Sequence, residues 1–248
     1  VPIGPARIFH VNANCSDLER SLAFYTERLG LRPTVRTTVE PQPCQALGLD
    51  LGAWDAWLLG PAEGHGVVLD LLEWQTPAPV GQPVGRHDLG YTTLIVESPD
   101  APGLDADPDG TSLEVRPGDR ARLAGVRVGV RDVERSMAWW SDVVGLGASD
   151  GVLADDRGPR AFAVELVAGP EAAAPPSSSA NRLGPYRMAL LTDSIDEDHR
   201  FLVDRGVACL SDVADLDMGP GLPALRVLCF LDPDGTVVEL IESPDVSS

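Results

Sequence analysis

An internal repeat constrains this chain more than any other feature of its sequence. The run Asp17-Leu18-Glu19-Arg20-Ser21, closed by Leu29-Gly30-Leu31, returns as Asp132-Val133-Glu134-Arg135-Ser136, closed by Val144-Gly145-Leu146. Each copy follows a short alternating stretch, Arg7–Asn14 or Val126–Val130. Alternation reads as a strand, and the apolar spacing after each Asp reads as an amphipathic helix. Asp17 and Asp132 stand where helix N-caps belong, and Gly30 and Gly145 where a left-handed C-terminal residue belongs. A second phrase also repeats: Asp107-Pro108-Asp109-Gly110-Thr111 before Leu113-Glu114-Val115, and Asp232-Pro233-Asp234-Gly235-Thr236 before Val238-Glu239-Leu240. Pro-Asp-Gly is a tight turn, so each phrase leads into a strand with an acidic centre. Val68–Leu72 and Ala163–Val167 carry similar centres at Asp70 and Glu165.

Four units follow, at Ala6–Gln75, Leu89–Arg116, Leu123–Ala168 and Gly184–Glu242. The second is too short for a helix, because Ser98–Ala106 holds two prolines and a glycine. The Ala-, Pro- and Ser-rich stretch 172–181 reads as a flexible linker. The expected division is an N-terminal domain, 1–118, and a C-terminal domain, 119–248.

Composition narrows the function. The chain has 248 residues and a formal net charge of -19. Such a surface repels phosphate backbones and anionic lipid, so neither nucleic acid nor membrane is an expected partner. All 19 basic residues are Arg, which excludes lysine Schiff-base and phosphate-loop chemistry within this chain and fits a GC-rich, actinobacterium-like genome. Cys15, Cys44, Cys209 and Cys229 form no CxxC, and Val1–Phe9 shows no export signal. Reduced thiols and a cytoplasmic location are expected. No Gly-rich dinucleotide loop is present, and no organic cofactor is expected.

The phrase His10–Tyr25, with the two Asp-Pro-Asp-Gly-Thr phrases, resembles the vicinal oxygen chelate superfamily, which includes glyoxalase I, bleomycin-resistance proteins and extradiol dioxygenases. The resemblance covers nearly the whole chain. It implies an α+β fold of tandem βαβββ modules forming two cupped, mostly antiparallel sheets, with ligands on the first and last strands of paired modules. The first-strand position falls on His10, Thr93, Gly125 and Arg187, and the last-strand acid on Asp70, Glu114, Glu165 and Glu239. Only one imidazole is present, where the family pattern has two. A classical extradiol dioxygenase would need imidazoles at both Gly125 and Arg187.

If units one and two share a cup, His10, Asp70 and Glu114 would be the metal ligands, for Mn, Fe, Ni or Zn. His10, Glu114 and Arg187 are then the candidate catalytic residues, and Trp54, Trp57, Thr93 and Glu239 the substrate-binding ones. If unit one pairs with unit four, the cup holds His10, Asp70, Arg187 and Glu239 instead. Arg187 is also a candidate to neutralise Glu165 and Glu239 in place of a metal. His65 reads as a hairpin-tip residue, and His87 and His199 as surface residues. The expected partner is a small-molecule ligand, and the chain a monomer or homodimer. Three functions stay open: a lyase, isomerase or oxygenase using a divalent metal on an oxygenated small molecule, in secondary metabolism or detoxification; a metal-free drug- or metabolite-binding protein; and a metal-free cyclase or isomerase.

Overall fold

The structure is a computed structural model that describes residues 3, 7–61, 66–100, 103–155 and 162–242. The first unit runs β1 (Arg7–Asn14), α1 (Leu18–Ala23), β2 (Arg32–Cys44), β3 (Leu49–Gly60) and β4 (Val68–Thr76). The second has only β5 (Gly90–Ser98) and β6 (Ser112–Pro117). The third runs β7 (Arg122–Val130), α2 (Val133–Trp139), β8 (Gly147–Ser149), β9 (Val152–Asp155) and β10 (Phe162–Ala168). The fourth runs β11 (Gly184–Leu191), α3 (Ile195–Asp204), β12 (Ala214–Leu216), β13 (Leu225–Leu231) and β14 (Val237–Glu242). The described part of 98–106 holds no helix, and Ala101 and Pro102 lie outside the described residues.

The caps act as their residue types predict. Asp17 accepts from Arg20 N, and Asp132 from Arg135 N, each at 3.0 Å. Both helices run on into a π-helical turn, and the glycines that follow, Gly30 and Gly145, have φ of +79° and +82°.

Two mixed sheets form. One has the order β12-β13-β14-β11-β1-β4-β3-β2, the other β6-β5-β7-β10-β9-β8. Unit one therefore pairs with unit four and unit two with unit three, so each sheet draws strands from both halves of the chain. The central seam of the larger sheet is the antiparallel ladder of β1 on β11, with Asn12 opposite Arg187. On its other side β1 runs parallel to β4, with Asn12 opposite Asp70. In the smaller sheet β5 lies antiparallel to β7.

The repeated phrases explain each other in three dimensions. The Asp-Pro-Asp-Gly turn of unit two docks on the helix of unit one: Asp109 accepts from Ser16 N and Oγ and from Arg20 Nη2. The turn of unit four docks on the helix of unit three in the same way, with Asp234 accepting from Arg131 N and Nη1 and from Arg135 Nη2. Each contact joins the two sheets.

One large apolar core, including Tyr25, Leu94, Val126, Trp140 and Met188, fills the space behind the sheets. A second, with Val39, Leu47, Trp54, Leu72 and Trp74, lies inside the curl of the larger sheet. The edges of that curl meet where the Gln42 amide of β2 both donates to Asp217 O, at 2.7 Å, and accepts from Asp217 N, at 3.0 Å, just beyond β12. The stretch 172–181 is irregular as expected, but its far end is tethered: buried Asn14 donates to Ala180 O and Arg182 O.

Candidate functional site

The larger sheet encloses a cavity of about 190 Å³. Its floor is made by one residue from each of four adjacent central strands: His10 on β1, Asp70 on β4, Arg187 on β11 and Glu239 on β14. Strand alternation explains the placement: every second residue of a curved strand faces the concave side. On β1 this gives His10, Asn12 and Asn14 one face and apolar Val11 and Ala13 the other. The walls are apolar and include Phe9, Leu47, Trp54, Leu58, Met218 and Leu222.

All four floor residues are buried. Arg187 Nε donates to Glu239 Oε2 at 2.8 Å, and Arg187 Nη2 to Asp70 Oδ2 at 3.4 Å. His10 Nε2 lies 3.3 Å from Glu239 Oε2 and 3.8 Å from Asp70 Oδ2, at ion-pair distance but outside hydrogen-bond geometry. Asn12, fully buried, supports Asp70 from the side by donating from Nδ2 to Oδ2 at 3.2 Å. Burial by itself would raise the Glu239 carboxyl, but the Arg187 charge and the nearby His10 outweigh it and hold it down at about 2. The same carboxylates push the Arg187 guanidinium above its ordinary value against the pull of burial. Three buried polar nitrogens on this floor, Arg187 Nη1 and both His10 ring nitrogens, have no hydrogen-bond partner in the structure.

This is the unit-one with unit-four arrangement, and it corrects two expectations. Glu114 does not join His10 and Asp70, because β6 lies at the edge of the smaller sheet. There Arg116 bridges Glu114 and Glu165 at 2.7 Å each, and Arg127 reaches them at 2.6 and 2.8 Å. Arg127 and Arg116 hold the Glu114 carboxyl below its usual range, and the same two arginines hold Glu165 low against its partial burial. Arg187 therefore neutralises Asp70 and Glu239, not Glu165. Thr93 is buried in the smaller sheet, away from the cavity.

Of the two candidate tryptophans, Trp54 lines the cavity and packs on Trp74 at 5.4 Å. Trp57, three residues along the strand, faces the other way, into an outer cleft beside Arg36. His65 lies outside the described residues. His87 is exposed and His199 half-buried, and neither lines the cavity. Asn12 is the floor-supporting residue that motif reading passes over, although the polar alternation His10-x-Asn12-x-Asn14 marks it.

The resemblance implied a divalent metal, and the donor set does not fit one. Among the described residues, no group of three or more His, Cys, Asp or Glu side chains is arranged to hold a metal ion. The place between the two carboxylates is taken by the Arg187 guanidinium, which already supplies the compensating charge.

The comparisons agree with the architecture. The model of the Glyoxalase/Bleomycin resistance protein/Dioxygenase superfamily matches residues 7–121 and again 122–240. No curated protein matches the chain. Among solved structures, glyoxalase I from Zea mays is similar over 96% of this chain and 92% of its own, with 18% identity and a TM-score of 0.66. A point variant of that enzyme gives a TM-score of 0.68, also at 18% identity, over 96% of this chain and 94% of its own. A dioxygenase-like protein from Bacillus subtilis gives 0.63 at 15% identity, over 98% and 87%. At these identities the likeness is one of fold, and activities vary widely on one fold. With both halves matched and βαβββ modules paired around one curved sheet, the chain belongs to the glyoxalase/bleomycin resistance protein/dioxygenase superfamily.

Proposed function

We propose that this protein is a metal-independent acid–base enzyme, of isomerase or lyase type, acting on an oxygenated small molecule held over His10 and Arg187. One observation carries the reading: a buried guanidinium, fixed by Asp70 and Glu239, stands beside a buried imidazole at the floor of an apolar cavity. Walls of this kind exclude water, which strengthens charge–dipole interactions at the floor. The carboxylates hold Nε and Nη2, leaving Nη1–H to donate to a ligand carbonyl. His10 turns Nε2 toward the carboxylates, whose charge favours a proton at that nitrogen, and Nδ1 is left to act as the base. In the proposed step, Nδ1 takes a proton from the carbon next to the carbonyl. The C–H electron pair moves into the enolate, and Arg187 Nη1 stabilises its oxygen. Return of the proton to another carbon completes an isomerisation, and loss of a neighbouring leaving group completes an elimination.

The test is exchange of the α-protons of 1-tetralone in D2O with EDTA present, followed by NMR. Exchange above the buffer rate, reduced about a hundredfold or more in His10→Ala, is expected. Exchange equal to that of buffer, or unchanged in the variant, would sink the enzymatic reading. The apolar walls favour one second reading, a ligand-sequestering protein, which predicts tetralone binding without exchange.

A further inference from the structure

We infer that the ligand of this cavity is an uncharged carbonyl compound, an apolar ketone, quinone or lactone, and not a carboxylate, phosphate ester or other anion. The inference rests on the reading above in placing the ligand over the His10–Arg187 floor, and it goes further by assigning the ligand's charge.

Arg187 brings one positive charge, and Asp70 and Glu239 bring two negative ones. Glu239 stays ionised at neutral pH despite its burial. With a neutral imidazole the floor carries a net charge of -1, and with an imidazolium it is neutral. Neither state has positive charge to spare. Among the described residues Arg187 is the only Arg lining the cavity, so the described walls do not supply it either. A ligand carboxylate would place a third negative charge in a dry site, where an uncompensated ion costs several kcal/mol. An arginine takes an anion best through two parallel N–H groups, whereas here Nε and Nη2 are already given to Glu239 and Asp70.

The floor does lack an acceptor. Arg187 Nη1 is buried and has no hydrogen-bond partner in the structure. An unpaired buried donor is costly, and a neutral carbonyl oxygen satisfies it without adding charge. The remaining requirement is apolar bulk, since Phe9, Trp54, Leu58 and Met218 line the walls. The net charge of -19 acts in the same direction at long range, by discouraging the approach of anions.

Three naphthalenes of nearly equal shape separate the possibilities: 2-acetylnaphthalene, 2-ethylnaphthalene and 2-naphthoate, each titrated calorimetrically into the full chain at pH 7.5 and low salt. The ketone is expected to bind about tenfold more tightly than the hydrocarbon and about a hundredfold more tightly than the carboxylate. In Glu239→Gln, which removes one negative charge, the preference for the ketone over the naphthoate is expected to shrink about tenfold. Asp70→Asn makes the same test should Glu239→Gln fail to fold. Naphthoate binding as tightly as the ketone would overturn the inference, as would a ketone no tighter than the hydrocarbon, or no binding by any of the three. Proton exchange into 1-tetralone reads the catalytic proposal separately. Exchange without the ketone preference removes the ligand class alone, and the ketone preference without exchange removes catalysis alone.

Discussion

Arg187 Nε donates to Glu239 Oε2 at 2.8 Å, and both groups are buried at the centre of the larger sheet. That bond lies within unit four, and the longer one from Arg187 to Asp70 ties unit four to unit one across β1. Arg187→Ala would leave two buried carboxylates without their cation, at a cost of about 3–5 kcal/mol at neutral pH. Partial recovery is expected on mild acidification, and also with Mn or Mg, which would meet His10, Asp70 and Glu239 without the guanidinium between them. Thermal melts of the variant at pH 7.5 and pH 5, with and without the ions, check this. A melting temperature equal to that of wild type would show that Arg187 does not neutralise the pair.

Glu239 also sets an acid limb of stability. Its carboxyl lies at about 2 in the folded chain, against an ordinary value of 4.5. A folded value below the unfolded one adds stability above pH 4.5, and that stability is lost as the pH falls from 4.5 through about 2. The difference is worth on the order of 3 kcal/mol. Urea unfolding at pH 5 and pH 2.5 should show this loss in wild type and a smaller one in Glu239→Gln. Equal losses in the two proteins would assign the acid limb to other carboxylates.

The ion network of the smaller sheet should behave differently. Glu114, Glu165, Arg116 and Arg127 are each 20–39% exposed at the side chain. Arg116→Ala should cost no more than about 1 kcal/mol and less in high salt, because exposed pairs are screened. Neither Arg116→Ala nor Thr93→Ala should change the Kd of 2-acetylnaphthalene, since both residues lie away from the cavity. A tenfold change would move the ligand site to the smaller sheet.

The turn-to-helix contact predicts an asymmetry between its two members. The Asp234 side chain is fully buried and takes hydrogen bonds from two arginines and a backbone N–H, whereas Arg135 is 52% exposed. Asp234→Ala should cost about 3 kcal/mol and Arg135→Ala under about 1 kcal/mol. Chemical denaturation of the two variants gives the comparison, and equal losses would refute it.

Residues 217–224, between β12 and β13, form a strap across the cup and lie against Thr38 of β2 at Gly219. Its φ is +96°, and an added Cβ would stand 2.4 Å from Thr38 O, closer than atoms approach. Gly219→Ala should move the strap bearing Met218 and Leu222, which line the cavity, and so loosen 2-acetylnaphthalene binding by about tenfold. Gln42→Ala, which removes the paired hydrogen bonds to Asp217, should speed ligand release with a smaller loss of stability, about 1 kcal/mol. Stopped-flow release rates and melts distinguish the two. A Gly219→Ala variant that binds as wild type does would free the strap from any part in ligand binding.

The sequence alone determined the units, their caps and their turns, because those signals act within a few residues. Asp17 and Asp132 meet N–H groups three positions on, and Pro-Asp-Gly closes a turn on itself. The same local alternation put His10, Asp70 and Glu239 at the centres of strands. Which of those strands become neighbours is a long-range matter, decided by how whole units pack. Only the tertiary structure brought β1 beside β11, over 170 residues apart in sequence, and so set Arg187 against Asp70 and sent Glu114 to the other sheet. Residue type made Arg187 able to stand in for a cation, and the pairing of units supplied the carboxylates that it neutralises.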